Sequence, residues 1–269
     1  MSVAVLCNLS DGVILGADSA LTVLGANGVE RVFEDGEKLF QLRKRIGIAT
    51  FGVGGMGGRS IGSFLHEFDS THPGGLDQKT IPEVTEELRV FFREKYVSAA
   101  ETTHQLPFDQ ITGVDWPNLG LVVAGYSPNS FLSEAWEIQV PAHDQPNSAR
   151  SVYAPGDFGL PWFARGEPIE RYLYGISVDG LFEIAAYVKG LLGRDLTPAE
   201  IDELLAIRRK QGYQVMTDSM PIQTGIAYVR FLVNYVITHY RYTERHPVVG
   251  GKARIGVVTY KGEDFHILE

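Results

Sequence analysis

The order of patterns along this chain predicts a layered α+β domain, with antiparallel strands inside and helices covering both outer faces. Three observations carry that expectation. Within the first twenty-two residues two apolar runs flank a Ser10-Asp11-Gly12 turn, the mark of a buried β-hairpin beginning at the start of the chain. Strand patterns and helix patterns then come in blocks rather than in strict alternation. Finally, nothing in composition marks a break or an internal repeat, so residues 1–269 read as one domain.

Each element has its own justification. A short strand is expected near Val29–Phe33 within the Gly-rich stretch 22–36. Strands follow at 38–42 and 46–52, paired across Arg43-Lys44-Arg45. Gly52-Val53-Gly54-Gly55-Met56-Gly57-Gly58 leads into a helix over about 59–68. Its glycine spacing is neither a P-loop nor a dinucleotide fingerprint, and it reads as a place where backbone closely approaches a cleft. Thr80-Ile81-Pro82-Glu83 is a capping box with proline in the first turn, and the apolar positions Val84, Leu88, Phe91 and Phe92 carry a helix to about Tyr96. Residues 97–118 read as irregular, with His104 solvated. Strands are expected at 119–126 and 133–140, then a polar loop to 150 and a turn at 154–159 before a short helix bearing Trp162 and Phe163. Residues 176–220 read as a helical insertion, with a second capping box at Thr197-Pro198-Ala199-Glu200. A largely buried helix is expected over 222–242, and a last hairpin from 253–259 and 264–268.

Composition removes several functions. Hydrophobic residues at 44% and charged residues at 21% are those of a folded globular domain. A net charge of −9 argues against nucleic acid or an anionic membrane as partner, since both require clustered Lys and Arg. There is no signal-peptide pattern and no apolar run long enough to span a bilayer, and a single cysteine, Cys7, fits a reducing cytoplasm and a core position. The seven histidines show no metal-site spacing, and no cofactor motif is present, so the expectation is no metal and no cofactor.

The start of the chain bears chemistry as well as structure. Termini usually fray, so a core strand beginning at residue 3 is unusual. Read plainly, it is a strand tied into a sheet. Read more sharply, removal of Met1 leaves Ser2 with a free α-amine, which titrates at about 7.7–8.0 and could serve as base to its own hydroxyl.

With these residues in view, the chain resembles the proteasome β-subunits among the N-terminal-nucleophile (Ntn) hydrolases, including the bacterial Anbu type. Ser2 stands where that family has threonine; Gly12 to Thr22 resembles its G-V-V-L-A-A-D-x-R-A-T segment, with Asp18 on the aspartate; Gly36-Glu37-Lys38-Leu39-Phe40 resembles its lysine motif, with Lys38 on the catalytic lysine. Gly52, fourteen residues further, matches the oxyanion-hole glycine, and Gly250-Gly251 with the strand to Thr259 matches the family's ending. The resemblance covers residues 2–68 well and 119–126 and 222–260 loosely.

It implies a four-layer αββα sandwich with a cleft at the edge of two sheets, and an N-terminal serine amidohydrolase or peptidase acting on peptides or small amides in a homo-oligomer, a ring included. Ser2 would be nucleophile, Asp18 would hold Lys38 charged, and the Gly52 N–H would face the oxyanion. Beside these stand plainer readings, a structural ion pair and a turn glycine. The pattern departs elsewhere. His246 and Val249 fall where the family has an orienting Asp and Ser, and its G-S-G turn corresponds to Gly156-Asp157-Phe158, where Asp157 could replace part of the network. The alternatives are therefore a non-catalytic family member kept for fold and assembly, or an unrelated α+β binding protein.

Overall fold

The computed structural model describes all residues except 1, 26–27, 73–74, 113–115, 142–145, 214, 216–218, 244–248, 262–265 and 269. In chain order the strands and helices begin with β1 (Val3–Leu9), β2 (Gly12–Asp18), β3 (Leu21–Gly25), β4 (Gly28–Phe33), β5 (Leu39–Leu42) and β6 (Ile46–Gly52). A small hairpin of β7 (Gly55–Met56) and β8 (Arg59–Ser60) precedes α1 (Ile61–Ser70) and α2 (Ile81–His104). Strands β9 (Leu119–Tyr126), β10 (Ser133–Val140), β11 (Ser148–Tyr153) and β12 (Trp162–Ala164) come next. Helices α3 (Glu167–Tyr174), α4 (Val178–Leu192), α5 (Pro198–Gln211) and α6 (Ile222–Thr243) lead to β13 (Ala253–Thr259) and β14 (His266–Leu268). The result is a mixed α and β fold built on antiparallel sheets, with two larger sheets ordered β12-β1-β2-β13-β14 and β11-β10-β9-β6-β5.

Every residue of β1 and β2 is buried, because both faces of this hairpin are covered. The pleat then sorts the side chains with a period of two. Val3, Val5, Cys7 and Leu9 join Ile14 in a cluster with Val229, Leu232, Val233 and Val236 of α6. Ala4 and Leu6, with Val13, Leu15 and Ala17, turn the other way and meet Ala49, Phe51, Val122 and Ala124 of the second sheet. This is why the opening of the chain reads as continuous apolar runs rather than as alternation. A third cluster sets Ile46, Ile48, Leu121, Val123 and Ile138 of the second sheet against Phe64 and Phe68 of α1 and Leu88, Phe92 and Tyr96 of α2. Phe51 and Phe163 stack at 5.8 Å between the sheets.

The two capping boxes form as expected, Thr80 with Glu83 and Thr197 with Glu200. Four local expectations are corrected. Helix α2 continues to His104, since Ala99 and Ala100 prolong its buried stripe and Gln105 ends it in a left-handed cap. His104 is accordingly not solvated, and its ring meets Trp116 edge-on at 5.5 Å. Residues 148–153 form an edge strand rather than loop, and no position of it is fully buried, which removes the alternation that would have revealed it. Trp162 and Phe163 lie in a strand, not a helix, because β1 has a free edge that they fill through Val3↔Ala164 and Val5↔Trp162. The helix comes after them, at Glu167–Tyr174. Within 176–220 the helices are α4 and α5, and β14 begins at His266, with residues 264–265 outside the described residues.

Gly16 shows how closely the first sheet sits on α6. A Cβ there would lie 2.4 Å from Val229 Cγ1 and 3.0 Å from Val233 Cγ2, both stiff β-branched side chains on a helix. Gly16→Ala is expected to lower stability by about 1–3 kcal/mol, read as a lower urea midpoint with an unchanged slope.

Candidate active site

The site is assembled by a carboxylate at the end of β2. Asp18 is 1% exposed and accepts four hydrogen bonds from four separate stretches of chain. Its Oδ1 takes the Val3 N–H at 3.0 Å and Lys38 Nζ at 2.8 Å. Its Oδ2 takes the Gly250 N–H at 3.1 Å and the Ala20 N–H at 3.3 Å. A buried carboxylate needs this many donors to remain an anion away from water. In meeting that need it joins the N-terminal strand, the start of β3, the approach to β5 and the loop before β13.

Lys38 is 7% exposed and lies one residue before β5. Its carbonyl accepts the Thr50 N–H at 2.9 Å, which fixes the lysine against β6. Burial holds its ammonium below the ordinary lysine range, while the charge of Asp18 and their hydrogen bond oppose that shift. Gly52 ends β6 with φ +85°, a left-handed backbone angle that favours glycine. A Cβ there would stand 2.0 Å from the Asn118 carbonyl oxygen, which accepts the Val53 N–H at 3.0 Å.

Ser2 is 3% exposed, and its carbonyl accepts the Arg165 N–H at 3.0 Å. Ser2, Lys38, Thr50 and Gly52 line one cleft together with Leu21 and Gly54. The cleft is open to solvent, and the space it encloses together with its mouth is about 620 Å³. Asp18 lies behind the lining and reaches the cleft through Lys38.

Asp157, offered by the sequence as a replacement for part of the orienting network, does not reach the terminus. Asp157 accepts the Ala154 N–H at 3.0 Å within its own turn, and its carbonyl takes Asn8 Nδ2. Asn8 lies six residues along β1 from Ser2, roughly 20 Å at about 3.3 Å per residue, so Asp157 is at the wrong end of the strand. Val249 is fully buried in the α6 cluster. His246 and Met1 lie outside the described residues.

The turn that does pass Ser2 is Ala164-Arg165-Gly166, which sequence reasoning missed. Ala164 holds φ +61° without being glycine, a conformation that costs of order 1 kcal/mol. The only sequence signal was Gly166 ahead of Glu167-Pro168, a helix start. Ser19 was missed as well. Fully buried, it donates to the Glu34 carbonyl and accepts the Lys252 N–H at 2.8 Å, tying the loop around Gly250 to the end of β4.

Elsewhere the chemistry is quiet. Burial pushes the Cys7 thiol up to about 12, which leaves it inert. Among the described residues no group of three or more His, Cys, Asp or Glu side chains is placed to hold a metal ion, and no helix is long and apolar enough to cross a membrane.

No protein-family model and no curated protein matches the chain. Among solved structures it is similar to Anbu (ancestral beta-subunit) from Yersinia bercovieri, with 13% sequence identity over 98% of this chain and 86% of that chain and a TM-score of 0.48. A likeness that distant says nothing about catalysis.

The two partners of the buried pair are not equivalent. Asp18→Asn leaves the Lys38 ammonium buried without a counter-charge and is expected to cost about 3–5 kcal/mol. Lys38→Met leaves Asp18 with three backbone donors and should cost clearly less. Equal losses in urea unfolding for the two variants would contradict this account.

Proposed function

We propose that this protein is an N-terminal serine hydrolase of proteasome-like type, with the four-layer αββα arrangement, acting on amide bonds of peptides or small amides. One observation supports the reading above others. Ser2, the Asp18-held Lys38 and the left-handed Gly52 share one cleft, although they are far apart in sequence. In this proposal removal of Met1 frees the Ser2 amine. Ser2 Oγ attacks the carbonyl carbon and its proton passes to the α-amine. The Lys38 ammonium lowers the energy of the forming alkoxide, and the Gly52 N–H stabilises the oxyanion. The tetrahedral intermediate expels the amine, which takes the proton, and leaves an ester on Ser2. Water then attacks that ester, with the α-amine as base, to release the acid. The chain acts as a homo-oligomer, and residues 176–220 are an insertion into the single domain.

A second reading is favoured by a specific observation. Asp157 binds its own turn and Val249 is apolar and buried, so two orienting groups of the resembled family have no counterpart at the cleft. On that reading the chain keeps fold and assembly without catalysis.

The test is intact mass before and after an α′,β′-epoxyketone peptide, which closes a ring only on a hydroxyl and a free amine of one residue. Loss of the Met1 mass with one adduct per chain supports catalysis, and Ser2→Ala should abolish the adduct. Retained Met1 with no adduct selects the non-catalytic reading. In the active case kcat/KM should rise with pH through about 7.7–8.0, as the α-amine loses its proton and becomes the base. A profile flat from pH 6 to 9 would exclude that role for the amine.

A further inference from the structure

Helices α4 and α5 attach to the rest of the chain in an uncommon way. Of the fourteen residues of α5 only Arg208 is buried, and α4 buries only Leu181. A buried guanidinium is harder to accommodate than an apolar side chain of similar size, and it is tolerated only where fixed partners meet it. Those partners lie on and beside α3. Arg208 Nη2 donates to Glu170 Oε2 at 2.9 Å, and its Nε donates to the Ile176 carbonyl at 2.9 Å. The guanidinium also lies over the Tyr174 ring, 4.3 Å from its centroid. Arginine combines a flat face that stacks with a fork that donates in two directions, and lysine does not.

Glu170 and Tyr174 carry this grip back to the start of the chain. Glu170 Oε1 accepts the Trp162 Nε1–H at 3.4 Å, and the Trp162 and Tyr174 rings lie 6.2 Å apart. Arg208, Glu170, Trp162 and Tyr174 thus close a ring of contacts. Trp162 pairs with Val5 of β1, and two residues on Ala164 pairs with Val3. The Glu170 N–H donates to the Gly166 carbonyl at 3.1 Å, so this carboxylate stands one helical turn beyond the turn that holds Ser2. Gly166 sits directly on the indole, since a Cβ there would lie 1.9 Å from Trp162 Cδ1. The left-handed backbone of Ala164 persists only where its surroundings fix it. Those surroundings are the Trp162 strand and the first turn of α3, and Arg208 fastens both. We propose that Arg208 is a positioning residue for Ser2, acting from α5 through Glu170 and Trp162 on the Ala164-Arg165-Gly166 turn. It is not part of the cleft lining. Helices α4 and α5 thereby belong to the working of the site.

The Arg165 amide reports on this directly, because its N–H donates to the Ser2 carbonyl. Arg208→Met keeps an unbranched side chain and removes the charge and the fork. It is expected to speed hydrogen exchange at Arg165 about tenfold, the effect of losing one charge-assisted hydrogen bond. Exchange at the buried Val122 and Val123 of β9 should stay as it is. Glu170→Gln keeps the shape of its side chain and should give the same pattern; if Arg208→Met fails to fold, Glu170→Gln decides. A role confined to holding α4 and α5 in place would speed exchange across 178–211 and leave Arg165 unchanged, which would overturn the proposal. A second readout rests on the N-terminal serine reading above. Arg208→Met should slow epoxyketone adduct formation about tenfold at saturating probe, with the half-saturating concentration unchanged, because the nucleophile is misplaced rather than the cleft reshaped. An undiminished rate in a protein whose wild type reacts would also overturn the proposal. A wild type that forms no adduct counts against the serine reading alone, and exchange at Arg165 then decides this inference by itself.

Discussion

The Asp18 carboxylate is the interaction on which the candidate site depends. It is buried, charged and bound by four donors from residues 3, 20, 38 and 250. The Ala20 contact is local, two residues on, but no local preference brings residues 3, 38 and 250 to Asp18. A buried anion is tolerated only where fixed donors replace the water it has lost, and here they come from the chain's start, from two segments near its first third and from its last strand approach. The same contacts place Ser2 at the end of a strand that cannot fray, because Val3 N–H is held by Asp18 and Ser2 carbonyl by Arg165. Fixing the N-terminus and holding the lysine are one event.

Around that knot the packed sheets and helices supply rigidity. β1 and β2 bury both faces, one against α6 and one against the second sheet, so the cleft wall is backed by close-packed side chains. Gly52, in the cleft lining, holds a left-handed backbone at φ +85°, and Ala164, two residues before the Gly166 that starts α3, holds φ +61°. Such angles persist where surrounding contacts fix them. Helix α4 is the opposite case. It buries little and offers apolar side chains such as Tyr187 and Leu191 to solvent.

Much of the fold was legible because its inner strands bury both faces and its helices carry strong start signals. The runs 46–52, 119–126, 133–140 and 253–259, read as strands, are strands in the structure, and the opening hairpin forms as β1 and β2. Thr80 and Thr197 cap their helices because the capping box is a local arrangement, complete within four residues. Reading failed where an element exists only for its neighbour. Trp162-Phe163-Ala164 has no strand signature of its own, and it is a strand because β1 needs an edge partner. Residues 148–153 are a solvent-facing edge without a hydrophobic pattern. Asp157 was misplaced because counting along a chain does not say which end of a strand a turn will meet.

What the sequence determined by itself was therefore the set of pieces. These are a hairpin at the start of the chain, a serine before its first strand, an aspartate closing its second strand, a lysine before a later strand, and a glycine where the strand after that ends. Their types and spacing follow from local rules of period, turn and cap. Tertiary structure alone decided that Ser2, Lys38 and Gly52 line one cleft, that Asp18 lies behind it, and that Ala164-Arg165-Gly166 is the turn at Ser2. The reason is physical: a buried charge and an unpaired strand edge are satisfied by whatever donors packing brings to them, and those donors lie up to 232 residues away.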